Sequence, residues 1–142
     1  MTDLTIRPVN GEDLAFIYAT WLRSYRNDSL IGLSTKKSIF YENYQRILDH
    51  ILMKDSTKVF IACKPDDPSV IFGYIIAEPS KAILHYSFTK DAFRRYGVAR
   101  ALFNTAFPHK SKSAVSITHK TKSTIHMTSE FVYNPFLLFI PD

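Results

Sequence analysis

The sequence predicts a mixed α/β fold in which helices pack on a twisted, largely antiparallel sheet. Apolar residues recur at helical spacing in two stretches near the N-terminus, and the period then changes to short apolar runs that are typical of strands. Turn residues separate these runs closely enough for consecutive strands to pair. A chain of 142 residues fits a single domain over residues 1–142.

The N-terminal part contains one short strand and two amphipathic helices. Residues 5–7 are a predicted strand, and Asn10 is a predicted helix cap with Asp13 as its capping-box partner. Apolar spacing predicts helices over residues 14–25 and 40–52. A polar loop separates them and contains Asn27, Asp28 and Gly32.

Apolar runs in the second half predict the remaining strands. Three of them form a hairpin that extends into a meander, over residues 59–63, 70–77 and 82–88. A helix over residues 98–103 and another strand over residues 115–119 follow. The order is therefore strand, two helices, three strands, helix, strand and an aromatic tail.

Charge is distributed unevenly along the chain. Residues 1–80 carry a net charge of −1, whereas residues 81–142 hold nine basic and three acidic side chains and carry +6. A basic half indicates an anionic partner, such as a coenzyme, a nucleic acid or an acidic protein. A solubilising surface bias would give the same pattern.

Cysteine content and apolar runs exclude several classes of protein. Cys63 is the only cysteine, which excludes an intramolecular disulfide and a cysteine-based zinc site. The N-terminus lacks the pattern of a signal peptide, and no apolar run approaches the roughly 18 residues that a membrane span needs. We therefore expect a cytoplasmic protein without a membrane partner.

A basic, glycine-containing turn precedes the third predicted helix. The motif Arg94-x-x-Gly97-x-Ala99 lies where exposed backbone N–H groups and the helix dipole favour an anion. Gly97 lets a phosphate approach the backbone, and Ala99 keeps the first helical turn narrow. Arginines add positive charge at positions 95 and 100 as well. The turn therefore predicts a phosphate-binding site.

Together with the strand before it, this motif resembles the phosphate motif Q/R-x-x-G-x-G/A of the GNAT acyltransferases, which lies between their fourth strand and third helix. The resemblance covers about residues 4–119. It implies that acyl-CoA, with acetyl-CoA as the donor, binds in a cleft where the fourth and fifth strands splay apart. The pantetheine arm would pair with Tyr86, Ser87 and Phe88. The pyrophosphate would bind at Arg94, Arg95, Tyr96, Gly97, Val98 and Ala99.

The part after His119 departs from the family pattern. A typical GNAT continues with a fourth helix, whose tyrosine often acts as general acid, and with a closing hairpin, but only 23 residues remain here. The C-terminal part is therefore shortened, as in compact phage-encoded GNAT-like proteins. Tyr133 either replaces the missing acid or packs with Phe131 and Phe136.

The candidate catalytic residues are His119, Tyr133, His85 and Glu78. His119 ends the fifth strand beside the expected thioester, where a neutral imidazole can accept a proton from an amine. His85 and Tyr86 are expected to point to opposite faces of their strand, so that one of them faces the cleft. Glu78 ends the third strand, where some GNATs keep a water-bound base. Structural roles are the alternative for each.

No metal site is expected. The spacing of His119 and His126 could suggest one, but the further ligands that a zinc ion requires are missing.

The leading functional hypothesis is direct transfer of an acyl group from CoA to an unidentified amine, with the protein aligning the reactants and managing two protons. Two alternatives stay open. The basic second half motivates a phage DNA-modifying or nucleic-acid-binding protein on the same scaffold, which is less favoured. The shortened C-terminal part motivates a catalytically degenerate interaction module. Fold alone does not choose between these functions.

Overall fold

The computed structural model describes residues 3–121 and 130–139, whose strands form one six-stranded sheet in chain order. The first four strands pair antiparallel, β5 lies parallel to β4, and β6 lies parallel to β5. The largely antiparallel sheet is therefore confirmed. The strands are β1 (Thr5–Pro8), β2 (Lys58–Lys64), β3 (Asp67–Glu78), β4 (Ile83–Thr89), β5 (Ser116–Ile117) and β6 (Val132–Tyr133).

Helices cover both faces of this sheet. They are α1 (Leu14–Asp28), α2 (Leu30–Ser34), α3 (Lys37–Met53) and α4 (Val98–Ala106). Side chains of α1 and α3 share one apolar cluster with Ile76 of β3, whereas α4 shares a second cluster with the neighbouring Ile75. Because successive strand residues point to opposite faces, α4 packs on the face opposite to α1 and α3.

The start of α1 follows the predicted capping box. A short 3₁₀ turn over Gly11–Asp13 leads into the helix, and the Asn10 side chain accepts a hydrogen bond from the backbone N–H of Glu12. The Asp13 carboxylate accepts a hydrogen bond from the Asn10 backbone N–H at 2.8 Å and an ion pair from Arg7 of β1 at 2.8 Å. The cap therefore also ties the first helix to the first strand.

The prediction of a loop between the two long helices is largely wrong. The first helix continues to Asp28, and after the extended residue Ser29 a second short helix begins at once. The Ser29 hydroxyl donates to the carbonyl of Tyr25 and accepts from the N–H of Gly32 at 3.1 Å. One side chain thus satisfies backbone groups at the end of α1 and at the start of α2.

The predicted meander is confirmed, with longer strands. Pairing of Lys58 with Ala77 joins β2 to β3, and pairing of Gly73 with Thr89 joins β3 to β4. The strand expected over residues 115–119 keeps only Ser116–Ile117 in the sheet. The last two residues of that prediction leave the ladder because β5 diverges from β4.

A β-bulge interrupts the pairing of β4 with β3 at His85. Ile76 faces Tyr86 and Ala77 faces Leu84, so that β4 has one residue more than β3 at this point. The expectation that His85 and Tyr86 point to opposite faces is therefore wrong. Both rings lie near His119, with ring centroids 6.5 Å and 6.1 Å from it.

Replacing Gly73 with alanine is expected to destabilise the fold by about 1–3 kcal/mol, the usual cost of overpacking. A Cβ atom at Gly73 would lie 2.3 Å from the backbone carbonyl oxygen of Phe88, so that β3 and β4 would have to separate. Urea unfolding measures the loss. Gly11→Ala is the control, because a Cβ atom there meets nothing within 4 Å. Equal stabilities of the two variants would contradict the close approach.

Candidate functional site

A cleft opens where β4 and β5 diverge. The two strands pair only at two positions, the second being Leu84 with Ile117, and the Thr118 N–H still reaches the Leu84 carbonyl at 3.3 Å. The longer strand then continues to Thr89 with this edge open. The cleft has a volume of about 780 Å³, which suits an organic ligand.

The cleft brings together part of the predicted site. The predicted residues that line it are His85, Tyr86, Ser87, Phe88, Arg94, Ala99 and His119. Arg95, Tyr96 and Gly97 belong to the same turn as Arg94 and are exposed, whereas Val98, the first residue of α4, is buried. Glu78 and Tyr133 do not line the cleft.

Residues that sequence reasoning did not place at the site complete its walls. One wall comes from α4 and from the loop after it, and a second contribution comes from α1. These residues include Ser24, Asp28, Phe103, Asn104, Lys110, Ser111 and Lys112, together with Arg100, which had been noted only as extra charge. Arg100, Lys110 and Lys112 place part of the positive charge of residues 81–142 along the cleft.

The turn before α4 has the geometry of an anion site. Gly97 has a φ of 81°, in the left-handed region, and among residues 3–121 and 130–139 no side-chain cap bonds to the N–H groups of the first helical turn. A Cβ atom on Gly97 would meet no protein atom within 4 Å, so glycine is needed here for its backbone angle and leaves open space above the turn. Arg95 also has a positive φ, of 71°.

Arg94 is held against the wall of the cleft. Its guanidinium pairs with Asp91 at 3.0 Å, and its Nε–H donates to the carbonyl of Thr89 at 3.4 Å. The side chain is largely exposed, so this ion pair contributes little stability. The contacts instead orient one cation beside the end of β4.

A chain of buried polar side chains runs from the sheet interior to the cleft. The Glu78 Oε2 atom lies 2.6 Å from His85 Nε2, and His85 Nδ1 lies 2.9 Å from the hydroxyl of Thr118. The same hydroxyl lies 2.8 Å from His119 Nδ1. All four side chains are buried. The structure therefore brings three of the four predicted catalytic residues together.

Donors around Glu78 keep its carboxyl ionised. Burial by itself would raise the pKa, but hydrogen bonds from Ser56 and His85 and the charge of Lys54 outweigh it and lower the pKa to about 2. The Ser56 hydroxyl donates to Oε1 at 2.5 Å, and Lys54 and Lys81 place their Nζ atoms 3.4 Å and 3.5 Å from the same oxygen. The negative charge is thus paired in the sheet interior.

An aromatic wall surrounds His119 at the other end of this chain. Its members are Trp21, Tyr25, Tyr44 and Tyr86, with ring centroids 4.9–6.1 Å from the imidazole. Burial lowers the pKa of His119 to about 3; the charge of His85 adds to this lowering, and a hydrogen bond to the His85 backbone opposes it. Its Nε2 atom is buried and has no hydrogen-bond partner within residues 3–121 and 130–139.

Tyr133 lies apart from the polar chain. It pairs with Ile117 in the sheet, the residue is 43% exposed, and Lys120 Nζ lies 5.7 Å from the ring centroid. Burial raises the pKa of Tyr25, and Tyr133 adds to this rise. Its role as an acid stays a prediction.

Sequence reasoning missed the residues that join these groups. Thr118 bridges His85 and His119. Ser56 and Lys54, which contact Glu78, follow α3 and lie far from Glu78 in the sequence. One signal was available, because Glu78 ends an apolar run that would otherwise be wholly buried. A carboxylate in that position needs partners.

Comparison with known proteins addresses the fold. No family model matches the sequence, and no curated protein matches it. Solved structures do match. A Pyrococcus furiosus protein described as a proposed acetyl transferase is 15% identical with a TM-score of 0.57, covering 73% of this chain and 72% of that one. A transcriptional regulator from Bacillus halodurans C-125 is 15% identical with a TM-score of 0.54, covering 90% of each chain.

A third solved structure is the aminoglycoside N-acetyltransferase AAC(6′)-Iy in complex with CoA. It is 18% identical with a TM-score of 0.51, covering 75% of this chain and 68% of that one. The chain has the GNAT fold. The fold prediction is thereby confirmed, and the cleft expected between the fourth and fifth strands is present. The likeness to phage-encoded members stays a prediction.

Metal and membrane sites have no support among residues 3–121 and 130–139. No helix in these ranges is long and apolar enough to cross a membrane. No three metal-ligating side chains of the His, Cys, Asp or Glu type gather there in a way that could hold an ion. His126 lies outside the described residues, so the expected absence of a metal stays a prediction.

The free energy of unfolding is expected to rise between about pH 5 and pH 7, and to rise less in His119→Gln. The buried imidazole has its pKa lowered to about 3, whereas in the unfolded chain it titrates near pH 6.5. The unfolded state therefore binds more protons in this range, and acid favours unfolding. His85 shares this direction, so part of the slope remains.

Urea unfolding at several pH values measures this slope, and His109→Gln, at an exposed position, is the control. A slope in His119→Gln as steep as in the control would contradict the buried neutral state of His119.

Proposed function

We propose that this chain is an acyl-CoA-dependent N-acyltransferase, which transfers an acyl group, acetyl in the first instance, directly from coenzyme A to an amine. The observation that carries the proposal is the cleft between the diverging strands β4 and β5. An uncapped helix N-terminus with basic side chains bounds this cleft, and the buried imidazole of His119 lines it. Anion recognition and a proton acceptor therefore share one cavity.

The donor would extend along the cleft from its phosphates to its thioester. Backbone N–H groups of residues 95–99 would hold the pyrophosphate at the start of α4, where the helix dipole favours negative charge. The basic side chains that line the cleft would neutralise phosphate charge; they are Arg94, Arg100, Lys110 and Lys112. The open edge of β4 at residues 86–88 would pair with the amides of the pantetheine arm.

Two protons have to move during the transfer. The thioester supplies an activated carbonyl group, the attacking amine has to lose a proton, and the departing thiolate has to gain one. His119 is the proposed proton acceptor, because it lines the cleft and its Nε2 atom has no hydrogen-bond partner within the described residues. Tyr133 remains the proposed donor to the thiolate, since it pairs with Ile117, which lines the same cleft.

The amine would enter beside α1. Ser24 and Asp28 line the cleft there, and the Ser24 hydroxyl lies 2.6 Å from the hydroxyl of Tyr86. A carboxylate at the entrance attracts a protonated amine from solution. The aromatic wall then favours the neutral amine, because an apolar surrounding disfavours charge, and the first proton leaves to solvent before the amine attacks. The proton that His119 would accept is the second one, lost during the transfer.

Acetyl-CoA is expected to raise the melting temperature, since a ligand at about 100 times its Kd stabilises a fold by about 2.7 kcal/mol. Gly97→Val is expected to weaken binding more than Arg100→Ala, because its side chain would fill the open space above the turn. Gly97→Asn separates blocking from backbone strain, since asparagine tolerates a positive φ but occupies the same space.

Calorimetry measures these affinities, with dephospho-CoA and desulfo-CoA as ligand controls. Equal affinities of Gly97→Val and Arg100→Ala would argue against the phosphate site. The absence of a thermal shift with every CoA ester would remove the proposed function.

His119→Gln and Tyr133→Phe are expected to lower the single-turnover rate of acetyl transfer by about 10²–10⁴-fold, the usual effect of losing a positioned acid or base. Affinity for acetyl-CoA is expected to stay unchanged, because neither side chain belongs to the phosphate turn. The measurement uses rapid quenching with a panel of amines, and melting temperatures identify losses of folded protein. Near-normal rates in both variants would make these residues packing groups.

A further inference from the structure

We propose that Glu78, His85 and Thr118 are positioning residues that fix the tautomer of His119, so that His119 presents a lone pair on Nε2 and a hydrogen on Nδ1. The role of that lone pair as proton acceptor rests on the proposed acyl transfer. The tautomer itself follows from the hydrogen bonds of the buried chain and is tested separately.

The direction of the chain is determined by a single hydroxyl. Thr118 lies between His85 Nδ1 and His119 Nδ1, at 2.9 Å and 2.8 Å. A hydroxyl carries one hydrogen and can accept at two lone pairs, so it donates to at most one of the two imidazoles. If one ring accepts from Thr118 at Nδ1, the other ring must donate to Thr118 from its own Nδ1.

The carboxylate at the far end decides which ring has which role. An ionised Glu78 only accepts, so the Nε2 atom of His85, 2.6 Å away, carries a hydrogen. Burial lowers the pKa of His85, although the carboxylate opposes this effect, and the ring is neutral. Its Nδ1 atom then accepts from Thr118.

The consequence for His119 follows directly. Because the Thr118 hydrogen points to His85, the hydroxyl oxygen accepts from the Nδ1–H of His119. A neutral imidazole with hydrogen on Nδ1 keeps its lone pair on Nε2. That atom is buried, belongs to a ring that lines the cleft, and has no partner within the described parts of the chain.

Surrounding donors hold Glu78 in the required form. Ser56, Lys54 and Lys81 all approach the same oxygen, Oε1, and leave Oε2 to His85. If the carboxyl were neutral, with its hydrogen on Oε2, every hydrogen bond in the chain would reverse. His119 would then carry its hydrogen on Nε2 and could not accept a proton there.

Glu78→Gln is therefore expected to reverse the chain. Its carbonyl oxygen remains next to the three donors at the Oε1 position, and its NH₂ group faces His85 Nε2 and donates to it. His85 then carries hydrogen on Nδ1 and donates to Thr118, which donates to His119 Nδ1. The variant keeps the size of the side chain at position 78. It moves the hydrogen of His119, three hydrogen bonds away, from Nδ1 to Nε2.

The test is two-bond ¹H–¹⁵N correlation spectroscopy of protein with ¹⁵N-labelled histidine near neutral pH, with His119→Gln used to assign the His119 signals. Wild type is expected to show His119 with hydrogen on Nδ1, and Glu78→Gln with hydrogen on Nε2. Thr118→Val is expected to remove the preference for one tautomer, whereas Thr118→Ser retains it. If Glu78→Gln does not fold, the tautomers of wild type, Thr118→Val and Thr118→Ser still test the inference.

Hydrogen on Nε2 of His119 in wild type, or the same tautomer in wild type and Thr118→Val, would overturn the inference. In single-turnover transfer, Glu78→Gln is expected to lose about 10²–10⁴-fold in rate with acetyl-CoA affinity unchanged, and Thr118→Ser to recover most of the rate lost in Thr118→Val. If the tautomers behave as expected but no CoA ester binds, the proposed function fails and the control of the tautomer stands.

Discussion

The extra residue of β4 at His85 is the constraint on which the site depends. Up to Leu84 the strand pairs on both edges, with β3 on one side and β5 on the other. A bulge bends its strand and increases the local twist, and here the parallel ladder ends at the same level. The cleft therefore opens at the bulge, and the displaced residue turns its imidazole toward Glu78.

This arrangement puts four polar side chains inside an apolar part of the protein. An unsatisfied buried polar group costs about 1–3 kcal/mol, so such a chain persists only when its members satisfy one another. Lys54 and Ser56 support Glu78 at one end, and Thr118 links the two imidazoles in the middle. Of the nitrogen and oxygen atoms in these four side chains, only His119 Nε2 lacks a partner within the described residues, and it belongs to the ring that lines the cleft.

The two halves of the cleft obey different physical rules. At the mouth lie the backbone N–H groups of the turn and exposed arginines, which would act on an anion through charge in contact with water. At the inner end His119 is buried against the aromatic wall, so that hydrogen-bond direction rather than net charge determines what His119 can do. A donor that spans both environments needs an anionic end and a slender uncharged arm.

Local features of this protein were predictable from the sequence because they depend on local chemistry. The capping box at Asn10 and Asp13, the meander and the glycine turn before α4 each follow from side chains and dihedral angles within a few residues. The short helix α2 escaped prediction because Ser29, one residue in a polar segment, satisfies two helix ends at once. Its role depends on how α1 and α2 cross, at Gly32.

The sequence by itself determined the type and order of the main elements, the position of the glycine turn before α4, and the presence of Glu78, His85 and His119 as titratable side chains. Only the tertiary structure decided that these three meet through Thr118 and that Tyr133 lies apart from them. The reason is that periodicity specifies which face of a strand a residue occupies, whereas contact across a sheet depends on register. A one-residue bulge changes that register and reverses the face, and no local pattern around His85 encodes it.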